Sequence, residues 1–342
     1  MEKIKSVLVY CEVENQKVAD ISQELLSAGK RLAEKLGSPL EAMIFGSDLH
    51  GIESQIAPFG VDRLFIGNSL RLEPYRTLPH AALAAHILKE EDPQIVLFGA
   101  TSVGRDLAPR LASKLNCGLT ADCTILDIGD HFVKKEKKEY KDLLYAIRPA
   151  FGGSIMANII NWDMHPQMAT VREGVMKKEI FDEHYNTEIV EVDVHSIVNE
   201  EDFVVEIIDR QIKESGVNLK EAPIIVAGGY GVGSKENFDY LKELAELLGG
   251  EVGGSRAAVD AGFIEHDRQI GQTGTTVRPK LYIAAGISGA IQHTAGMQDA
   301  SMIISINNDP EAPINKLADY VIHGDLGVVV PKMIKYYKQN AK

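Results

Sequence analysis

Cysteine and tryptophan are scarce in this sequence of 342 residues, which contains three cysteines and one Trp. Cys11, Cys117 and Cys123 are odd in number and form no CxxC spacing, which excludes a disulfide framework and a zinc ribbon. We therefore expect reduced thiols that pack as small apolar side chains. The ten histidines are scattered, and His80 and His86, six residues apart, do not share a helix face. No metal site is predicted.

Long apolar runs are also missing. No stretch approaches the roughly 20 apolar residues that a membrane-spanning helix needs, so no membrane insertion is expected. The first residues, MEKIKSVLVYCEVE, are basic and then apolar, but no small-residue cleavage site follows them. This start is typical of a first strand, and we expect a cytoplasmic protein.

The sequence has fewer basic than acidic residues, 36 Lys and Arg against 49 Asp and Glu, which gives a formal net charge of −13. Such an excess of acid argues against binding to nucleic acid or to anionic lipid. The segment with most basic residues, KKEKKEYK (134–141), has interspersed charges of both signs. This pattern indicates the solvated tip of a hairpin rather than a nucleic-acid patch.

What the chain does have is thirty glycines and an alternation of strand-like and helix-like segments. Apolar runs such as SVLVYCEV, LEAMIFG and IVLFGA are separated by stretches with helical spacing, of which KVADISQELLSAGKRLAEKL is the clearest. The alternation predicts an α/β fold in which a mostly parallel sheet has helices on its faces. The segment GATSVGRDLAPRLASKL (99–115) is read either as an anion site at a helix N-terminus or as a simple helix cap.

A second series of the same kind begins at PIIVAGGYGVGS (223–234). It predicts a helix over Lys235–Leu248, strands at LYIAA, MIISI and YVIHG, and a last helix at about 330–339. We therefore predict two α/β domains, residues 1–195 and 222–342, each with a mostly parallel sheet. The polar residues 196–221 are expected to connect them.

Four loops of this second series are rich in Gly, Ser, Thr and Gln, and we place them at successive strand-to-helix positions. They are GGYGVGS (228–234), GGSRAAVDAG (253–262), QIGQTG (269–274) and GISGAIQH (286–293). In parallel sheets, ligands bind beyond the carboxyl ends of the strands. Hydroxyls and backbone amides suit phosphates, whereas an amide and an imidazole suit a heteroaromatic ring.

Each loop alone has a plainer interpretation. GGYGVGS does not complete the dinucleotide pattern GxGxxG, because the last glycine would fall on Ser234. GISGA resembles a nucleophile elbow but has Ala290 where that motif requires Gly. Arg256 alone would be a surface ion-pair partner and His293 alone a core histidine. Two other functions thus stay open, a stand-alone NAD-dependent oxidoreductase and a non-redox nucleotide-binding subunit.

Taken together, these segments resemble a known family. LYIAAGISGAIQHTAGM, with SRAAVDAG and GQTG before it and INNDPEAPI and ADYVIHGDL after it, resembles the FAD domain of the electron transfer flavoprotein alpha subunit. In the first half LFGATSVGRDLAPRLASKLNCGLTADC, RPAFGGSIMANI and PQMATVREGVMKK are similar to the same family in matching order. The likeness covers nearly the whole chain.

The resemblance implies a Rossmann-like C-terminal domain that binds FAD, and a beta subunit as partner in a heterodimer. RPAFGG and TADC become candidate interface segments. The implied activity is single-electron transfer from an acyl-CoA dehydrogenase-type flavoenzyme or NADH to an acceptor, with no catalytic acid or base. Some members split electron pairs with a second FAD in the beta subunit, and we expect that bifurcating type here.

The resemblance also implies a role for each site residue. Ser255 and Ser288 would contact the pyrophosphate, and Arg256 would lie beside the isoalloxazine. The flavin edge with N5 and the C4 carbonyl would face Ile270, Gly271, Gln272 and Thr273. The pyrimidine side would face Gln292 and His293, and the adenosine end Asn307, Asp325 and Leu326. Tyr230, Gly289, Ala290 and Ile291 complete the predicted cofactor contacts.

Arg256, His293 and Thr273 are the predicted redox-tuning residues. A flavin that accepts one electron without a proton gathers negative charge, which a cationic or donating group stabilises. A charge-assisted hydrogen bond contributes roughly 1.5–3 kcal/mol, equivalent to about 100 mV for one electron.

Two residues depart from the family's usual pattern by removing positive charge. Tyr230 stands where Arg is common, and Thr275 stands where GQTG is commonly followed by Lys. Tyr230 is expected either to weaken the phosphate end of the site or to stack on a ring.

Overall fold

A computed structural model describes residues 5–150, 155–209, 218–220 and 222–340. They divide into two compact units: residues 5–150 and 155–209 form the first, and residues 218–220 and 222–340 form the second. The domain limits drawn from the sequence stay a prediction. No helix in the described part of the chain is both long and apolar enough to cross a membrane.

The first unit contains twelve strands and five α-helices within its described residues. The strands are β1 (Val7–Cys11), β2 (Val13–Glu14), β3 (Lys17–Val18), β4 (Leu40–Gly46), β5 (Arg63–Asn68), β6 (Ile95–Gly99), β7 (Leu119–Cys123), β8 (Ile125–Val133), β9 (Lys138–Ala150), β10 (Ile155–Ile159), β11 (Gln167–Val171) and β12 (Glu188–Glu191). The helices are α1 (Asp20–Leu36), α2 (Glu53–Ile56), α3 (Thr77–Glu91), α4 (Ser102–Leu115) and α5 (Val194–Ile197).

The main sheet of the first unit is parallel, with the strand order β12-β5-β4-β1-β6-β11-β7. The central strands β1 and β6 are continuous apolar runs, and β4 is apolar except for Glu41, because both faces of the sheet are covered. Val7 and Val9 pack into the core on one face, and Leu8 and Tyr10 into the core on the other. The predicted α/β architecture is confirmed.

Helix α1 shows how the sequence pattern produces the packing. Ile21, Leu25, Ala28 and Leu32 recur at helical spacing and are all buried against the sheet. The helix ends at Gly37, whose φ of 62° lies in the left-handed region that favours glycine at this position.

The charged segment 134–141 forms the turn and the start of the second strand in the β8–β9 hairpin, so the predicted solvated tip is confirmed. With β10, this hairpin makes a separate antiparallel sheet of three strands. The alternation of side chains on its strands is weak, because many positions are only half buried. For that reason the sequence pattern predicted the tip but not the sheet.

The turn after β6 is a helix cap. The Thr101 hydroxyl accepts a hydrogen bond from the Gly104 amide at 2.9 Å, at the first turn of α4. The same hydroxyl donates to Glu12 Oε1 at 2.8 Å. A carboxylate of the chain itself therefore occupies the position where an anion would bind, which favours the cap over the anion site.

The second unit contains one five-stranded parallel sheet and four α-helices within its described residues. Its strands are β13 (Ile224–Gly228), β14 (Glu251–Gly254), β15 (Leu281–Ala285), β16 (Ile303–Asn307) and β17 (Tyr320–His323). Its helices are α6 (Lys235–Leu248), α7 (Arg256–Asp260), α8 (Ile291–Thr294) and α9 (Leu326–Asn340). The predicted helix 235–248 is confirmed.

The last helix begins earlier than predicted. The sequence predicted a start near Val330. Helix α9 instead begins at Leu326, where the Asp325 carboxylate accepts a hydrogen bond from the Gly327 amide at 2.7 Å. This cap satisfies an amide that the helix cannot pair internally.

The strand order of the second unit, β14-β13-β15-β16-β17, reverses direction at β13 and β15. From β13 the chain passes to β14 on one side, and the following strands are added on the other side. Loops that leave two such strands diverge to opposite faces and open a crevice at the carboxyl edge. Sequence segments 228–234 and 286–293 leave the sheet at this point.

Candidate functional site

A cavity of about 900 Å³ opens at the carboxyl edge of the second unit's sheet. Its walls come from the loops that follow all five strands. The lining residues are Tyr230, Gly231, Ser255, Arg256, Ala257, Asp260, Ile270, Gly271, Gln272, Thr273, Gly286, Ile287, Ser288, Ala290, Gln292, His293, Ile306, Asn307, Asn308, Asp309, Ala312, Gly324 and Leu326. Residues from segments far apart in sequence therefore share one site.

Glycine-to-glycine packing forms the floor of the cavity. A Cβ atom on Gly229 would lie 2.1 Å from the Gly286 carbonyl oxygen, and the Gly231 amide donates to that oxygen at 3.1 Å. The backbones approach this closely because no side chain separates them. The glycines of GGYGVGS thus serve the crossing of two loops, which explains why they do not follow the GxGxxG pattern.

The loop 269–274 is not at a strand-to-helix position, and this part of the sequence prediction is wrong. It follows a 3-10 turn at His266–Arg268 and precedes β15. The Ile270 amide donates to the Gly254 carbonyl at 2.9 Å, which brings the loop to the carboxyl edge beside β14. The Gln272 amide donates to the Gln292 carbonyl at 2.6 Å and fixes the loop against α8.

Ser255 and Arg256 begin α7. The Ser255 hydroxyl accepts a hydrogen bond from the Ala258 amide at 3.4 Å, as an N-cap residue does. The Arg256 side chain is 69% exposed, and its Nε lies 3.3 Å from the Asp260 carboxylate. Arg256 is the only Lys or Arg among the lining residues that the structure describes, and these residues also include the acids Asp260 and Asp309.

Thr273 keeps a hydrogen-bond donor available. Its Oγ1 accepts from Gln269 Nε2 at 3.0 Å, so the hydroxyl hydrogen remains available for a different acceptor. Gln269 is itself buried. A buried amide therefore orients the hydroxyl at the cavity wall.

The loop after β15 is held by its contacts with two other loops. The Ile314 amide donates to the Ser288 carbonyl at 3.2 Å, and the Asn307 side-chain amide donates to the Ile287 carbonyl at 2.8 Å. Gly289 has a φ of 88°, and a Cβ atom there would lie 2.2 Å from the Ile314 nitrogen. The loop can pack in this way only with glycine at that position.

His293 lies in the wall but is only 6% exposed. Its Nδ1 lies 3.0 Å from the Ile270 carbonyl oxygen and its Nε2 lies 2.9 Å from the Tyr282 hydroxyl. Burial lowers the pKa of the imidazole to about 4, although the Ile270 carbonyl opposes that shift. The ring is therefore neutral at physiological pH and does not add a positive charge to the site.

Tyr230 is 66% exposed at the cavity wall. Its ring centre lies 5.9 Å from that of Phe263, with the two planes 25° apart. The residue therefore presents an aromatic surface where the family commonly has a positive charge.

The structure brings together all but three of the residues predicted for cofactor binding. Gly289 and Ile291 lie in the surrounding loops, and Asp325 caps α9 next to the lining residue Leu326, but none of the three lines the cavity. Their assignment as direct contacts stays a prediction. Asn308 and Asp309 line the cavity and were missed, although their position next to Asn307, in the loop after MIISI, could have identified them.

The remaining lining residues were not singled out from the sequence, although several lie in the predicted loops, and they fall into two groups. Ala257 and Asp260 lie on α7. Ala257 directly follows Arg256, and Asp260 lies one helical turn beyond it. The others contribute small or apolar surface and have no chemical signature in the sequence; they are Gly231, Gly286, Ile287, Ile306, Ala312 and Gly324.

The lining residues fit FAD, a long molecule with a pyrophosphate and two flat heteroaromatic ring systems. Backbone amides and the hydroxyls of Ser255 and Ser288 suit the phosphates. The amide groups of Gln272, Gln292 and Asn307 can donate to and accept from ring atoms. The glycine floor leaves space that a row of Cβ atoms would fill.

Within the described residues, no group of three or more His, Cys, Asp or Glu side chains is placed to hold a metal ion. Cys11 and Cys123 are buried and Cys117 is half buried, and all three are free thiols.

Comparison with known proteins identifies the two units. Residues 7–197 match the family model described as "Electron transfer flavoprotein domain", and residues 218–298 match "Electron transfer flavoprotein FAD-binding domain".

Similar proteins match over nearly the whole chain. The electron transfer flavoprotein subunit alpha of Thermoanaerobacterium thermosaccharolyticum is 44% identical over 99% of each chain. Protein FixB of Clostridium saccharobutylicum is 48% identical over 98% of this chain and 97% of its own. The lactate dehydrogenase (NAD(+),ferredoxin) subunit LctC of Acetobacterium woodii is 36% identical over 96% of this chain and 76% of its own. The chain therefore belongs to the family of electron transfer flavoprotein alpha subunits.

Proposed function

We propose that the cavity of the second unit holds FAD and that the chain transfers single electrons through it as the alpha subunit of a heterodimer. The observation that carries this proposal is the convergence of residues from separate loops on one cavity at the strand-order reversal. When bound, FAD supplies the redox chemistry, because its flavin ring can take up and release one electron at a time.

The chain's own residues would bind and orient the cofactor. The hydroxyls of Ser255 and Ser288 lie where the loops leave the sheet, a position that suits a pyrophosphate. The Thr273 hydroxyl, oriented by Gln269, would donate to the flavin edge. Arg256 would supply the positive charge that stabilises negative charge gained by the flavin.

A beta subunit is the expected partner, because electron transfer flavoproteins of this family are built from both chains. TADC lies in β7, at the edge of the first sheet, where Thr120 and Cys123 are buried. RPAFGG runs beyond Ala150, so its last residues lie outside the described part of the chain. The role of both segments at the subunit interface stays a prediction, as does a cytoplasmic location.

The names of two relatives support candidate electron donors and acceptors. One relative, 39% identical over 99% of this chain, is the acryloyl-CoA reductase electron transfer subunit beta of Anaerotignum propionicum. It supports an acyl-CoA-type flavoenzyme as the partner of this complex. LctC is named for both NAD(+) and ferredoxin, which supports an electron-bifurcating complex.

The experiment that tests the proposal is a flavin count on the complex of both chains. We expect the purified complex to retain FAD, and two FAD per heterodimer would support bifurcation. One FAD together with AMP would support a simple single-electron carrier. A complex that remains colourless after incubation with excess FAD would contradict the proposal, and NAD-dependent turnover by the chain alone would favour the stand-alone oxidoreductase.

Arg256→Ala is expected to lower the first reduction potential of the bound flavin by about 60 mV. This is the lower end of the range for a charge-assisted contact, because the side chain is largely exposed and already paired with Asp260. Potentiometric titration of the complex measures the shift. Arg256→Lys, which keeps the charge, should recover part of it, and an unchanged potential in the alanine variant would contradict the tuning role.

A further inference from the structure

Tyr282 is a buried polar residue beneath the candidate flavin site. It lies in the centre of the sheet on β15, and its side chain is fully buried at 0% exposure. Its hydroxyl lies 2.9 Å from His293 Nε2. Desolvation raises the pKa of the phenol well above its usual range, so the hydroxyl is protonated at neutral pH and can donate.

The hydrogen bonds of His293 determine which ring nitrogen carries the proton. Nδ1 faces the Ile270 carbonyl oxygen at 3.0 Å, and a carbonyl can only accept, so Nδ1 carries the hydrogen and donates. Nε2 of the neutral ring is then an acceptor, and the Tyr282 hydroxyl is its donor. Both ring nitrogens are satisfied inside the protein.

This pair of hydrogen bonds connects three elements that meet at the cavity. Tyr282 belongs to β15, His293 to α8 and Ile270 to the loop that lines the cavity with Gly271 and Thr273. The Ile270 side chain is buried, and the adjacent Gly271 packs so tightly on α8 that a Cβ atom would lie 2.8 Å from the Gln292 carbonyl oxygen. A shift of the imidazole would therefore move the wall of the site.

We propose that Tyr282 is a positioning residue, whose hydroxyl anchors Nε2 of His293 while the Ile270 carbonyl holds the hydrogen on Nδ1, and that this anchoring fixes the Ile270–Thr273 wall against which the flavin edge binds. The role of Tyr282 in flavin binding rests on the proposed function, whereas the tautomer of His293 follows from its hydrogen bonds alone. It assigns His293 a neutral, orienting role, in place of the cationic or donating role expected from the sequence.

The test is Tyr282→Phe, which removes one oxygen atom and leaves the ring in place. The variant leaves Nε2 as a buried acceptor without a partner, so we expect FAD to bind the heterodimer about tenfold more weakly, as one lost hydrogen bond would produce. Tyr10→Phe is the matched control, because Tyr10 is a buried tyrosine of a central strand in the other unit. This control is expected to leave FAD affinity unchanged.

A double-mutant cycle separates a positioning role from a general loss of packing. His293→Asn keeps a donor near the Nδ1 position for the Ile270 carbonyl but removes the acceptor for Tyr282. If Tyr282 acts through His293, adding Tyr282→Phe to His293→Asn should not weaken FAD binding further. Additive effects in the cycle would overturn the proposal.

The tautomer is measured directly with histidine labelled with 15N in the same complex. We expect the His293 signals, assigned by their loss in His293→Asn, to show hydrogen on Nδ1 in both the wild type and Tyr282→Phe, because the Ile270 carbonyl stays in place. The Nε2 signal should shift in Tyr282→Phe, because its hydrogen bond is lost. Hydrogen on Nε2 in the wild type, or FAD affinity within twofold of wild type in Tyr282→Phe, would overturn the inference. If the wild-type complex binds no FAD, the proposed function fails, and the tautomer signals still decide the arrangement of Tyr282 and His293.

Discussion

Gly289→Ala is expected to weaken FAD binding by about 100-fold or more. The φ of 88° is unfavourable for alanine by about 1 kcal/mol, and the new Cβ atom would lie 2.2 Å from the Ile314 nitrogen. This overlap can be relieved only if the backbone at residue 289 or at Ile314 moves, which typically costs a further 1–3 kcal/mol. The loop that carries Ser288 and Ala290 into the cavity would shift, and about 3 kcal/mol corresponds to roughly a 100-fold change in affinity.

The measurement is the dissociation constant of FAD from the heterodimer, followed by flavin fluorescence. Gly249→Ala is the matched control, because Gly249 also has a positive φ, 69°, but its Cβ atom would meet nothing within 4 Å at the end of α6. The control should bind FAD within about twofold of wild type, since only the backbone strain is shared. Wild-type affinity in Gly289→Ala, with the fold intact by circular dichroism, would show that the loop does not need this packing.

The general position of the site was predictable from the sequence because of one rule. Parallel strands place their carboxyl ends at one edge, so loops after successive strands converge whatever their separation along the chain. The segments 228–234 and 286–293 follow the apolar strands PIIVA and LYIAA, and both contribute to the cavity. Segment 253–262 also contributes, although the strand before it, β14, is only the short EVGG. Family resemblance then supplied residue roles that the spacing of the motifs alone could not.

Other parts of the site could not be predicted, because they depend on contacts between distant segments. The loop 269–274 reaches the carboxyl edge through a hydrogen bond from Ile270 to Gly254, which no local pattern indicates. His293 was interpreted either as a core histidine or as a ligand-binding residue, and it has features of both. Its ring is satisfied by Tyr282 and Ile270, yet it lines the cavity.

The strand order reverses in the sheets of both units, and the units differ in what occupies the carboxyl edge at that point. In the second unit, glycines at β13 and β15 leave space at the carboxyl edge. In the first unit the reversal falls at β1 and β6, where Glu12 and Thr101 bond to each other and the Glu12 amide donates to the Ser22 hydroxyl at 2.8 Å. The corresponding position in the first unit is therefore occupied by the side chain of Glu12.

Glu12→Gln is expected to stabilise the protein by about 3 kcal/mol at pH 8 and to change little below pH 5. Burial, together with repulsion from Glu173 and Glu14, raises the pKa of the Glu12 carboxyl from 4.5 to about 7, although the hydrogen bond from Thr101 opposes the shift. The unfolded chain loses this proton near pH 4.5 and the folded chain near pH 7, so folding takes up a proton between these values and stability falls as pH rises. This difference in pKa between the unfolded and the folded chain corresponds to about 3 kcal/mol in the free energy of unfolding.

Chemical denaturation of the wild type and the variant at several pH values between 4.5 and 8 measures the effect. Glutamine keeps an acceptor oxygen for the Thr101 hydroxyl but cannot ionise, so the part of the pH dependence that comes from residue 12 should disappear. Glu14→Gln, at an exposed position on β2, is the control and should keep most of the wild-type pH profile, since it removes only one minor source of repulsion. Equal pH profiles for Glu12→Gln and wild type would mean that the buried carboxyl ionises at its ordinary pKa, and that its desolvation costs the first unit little.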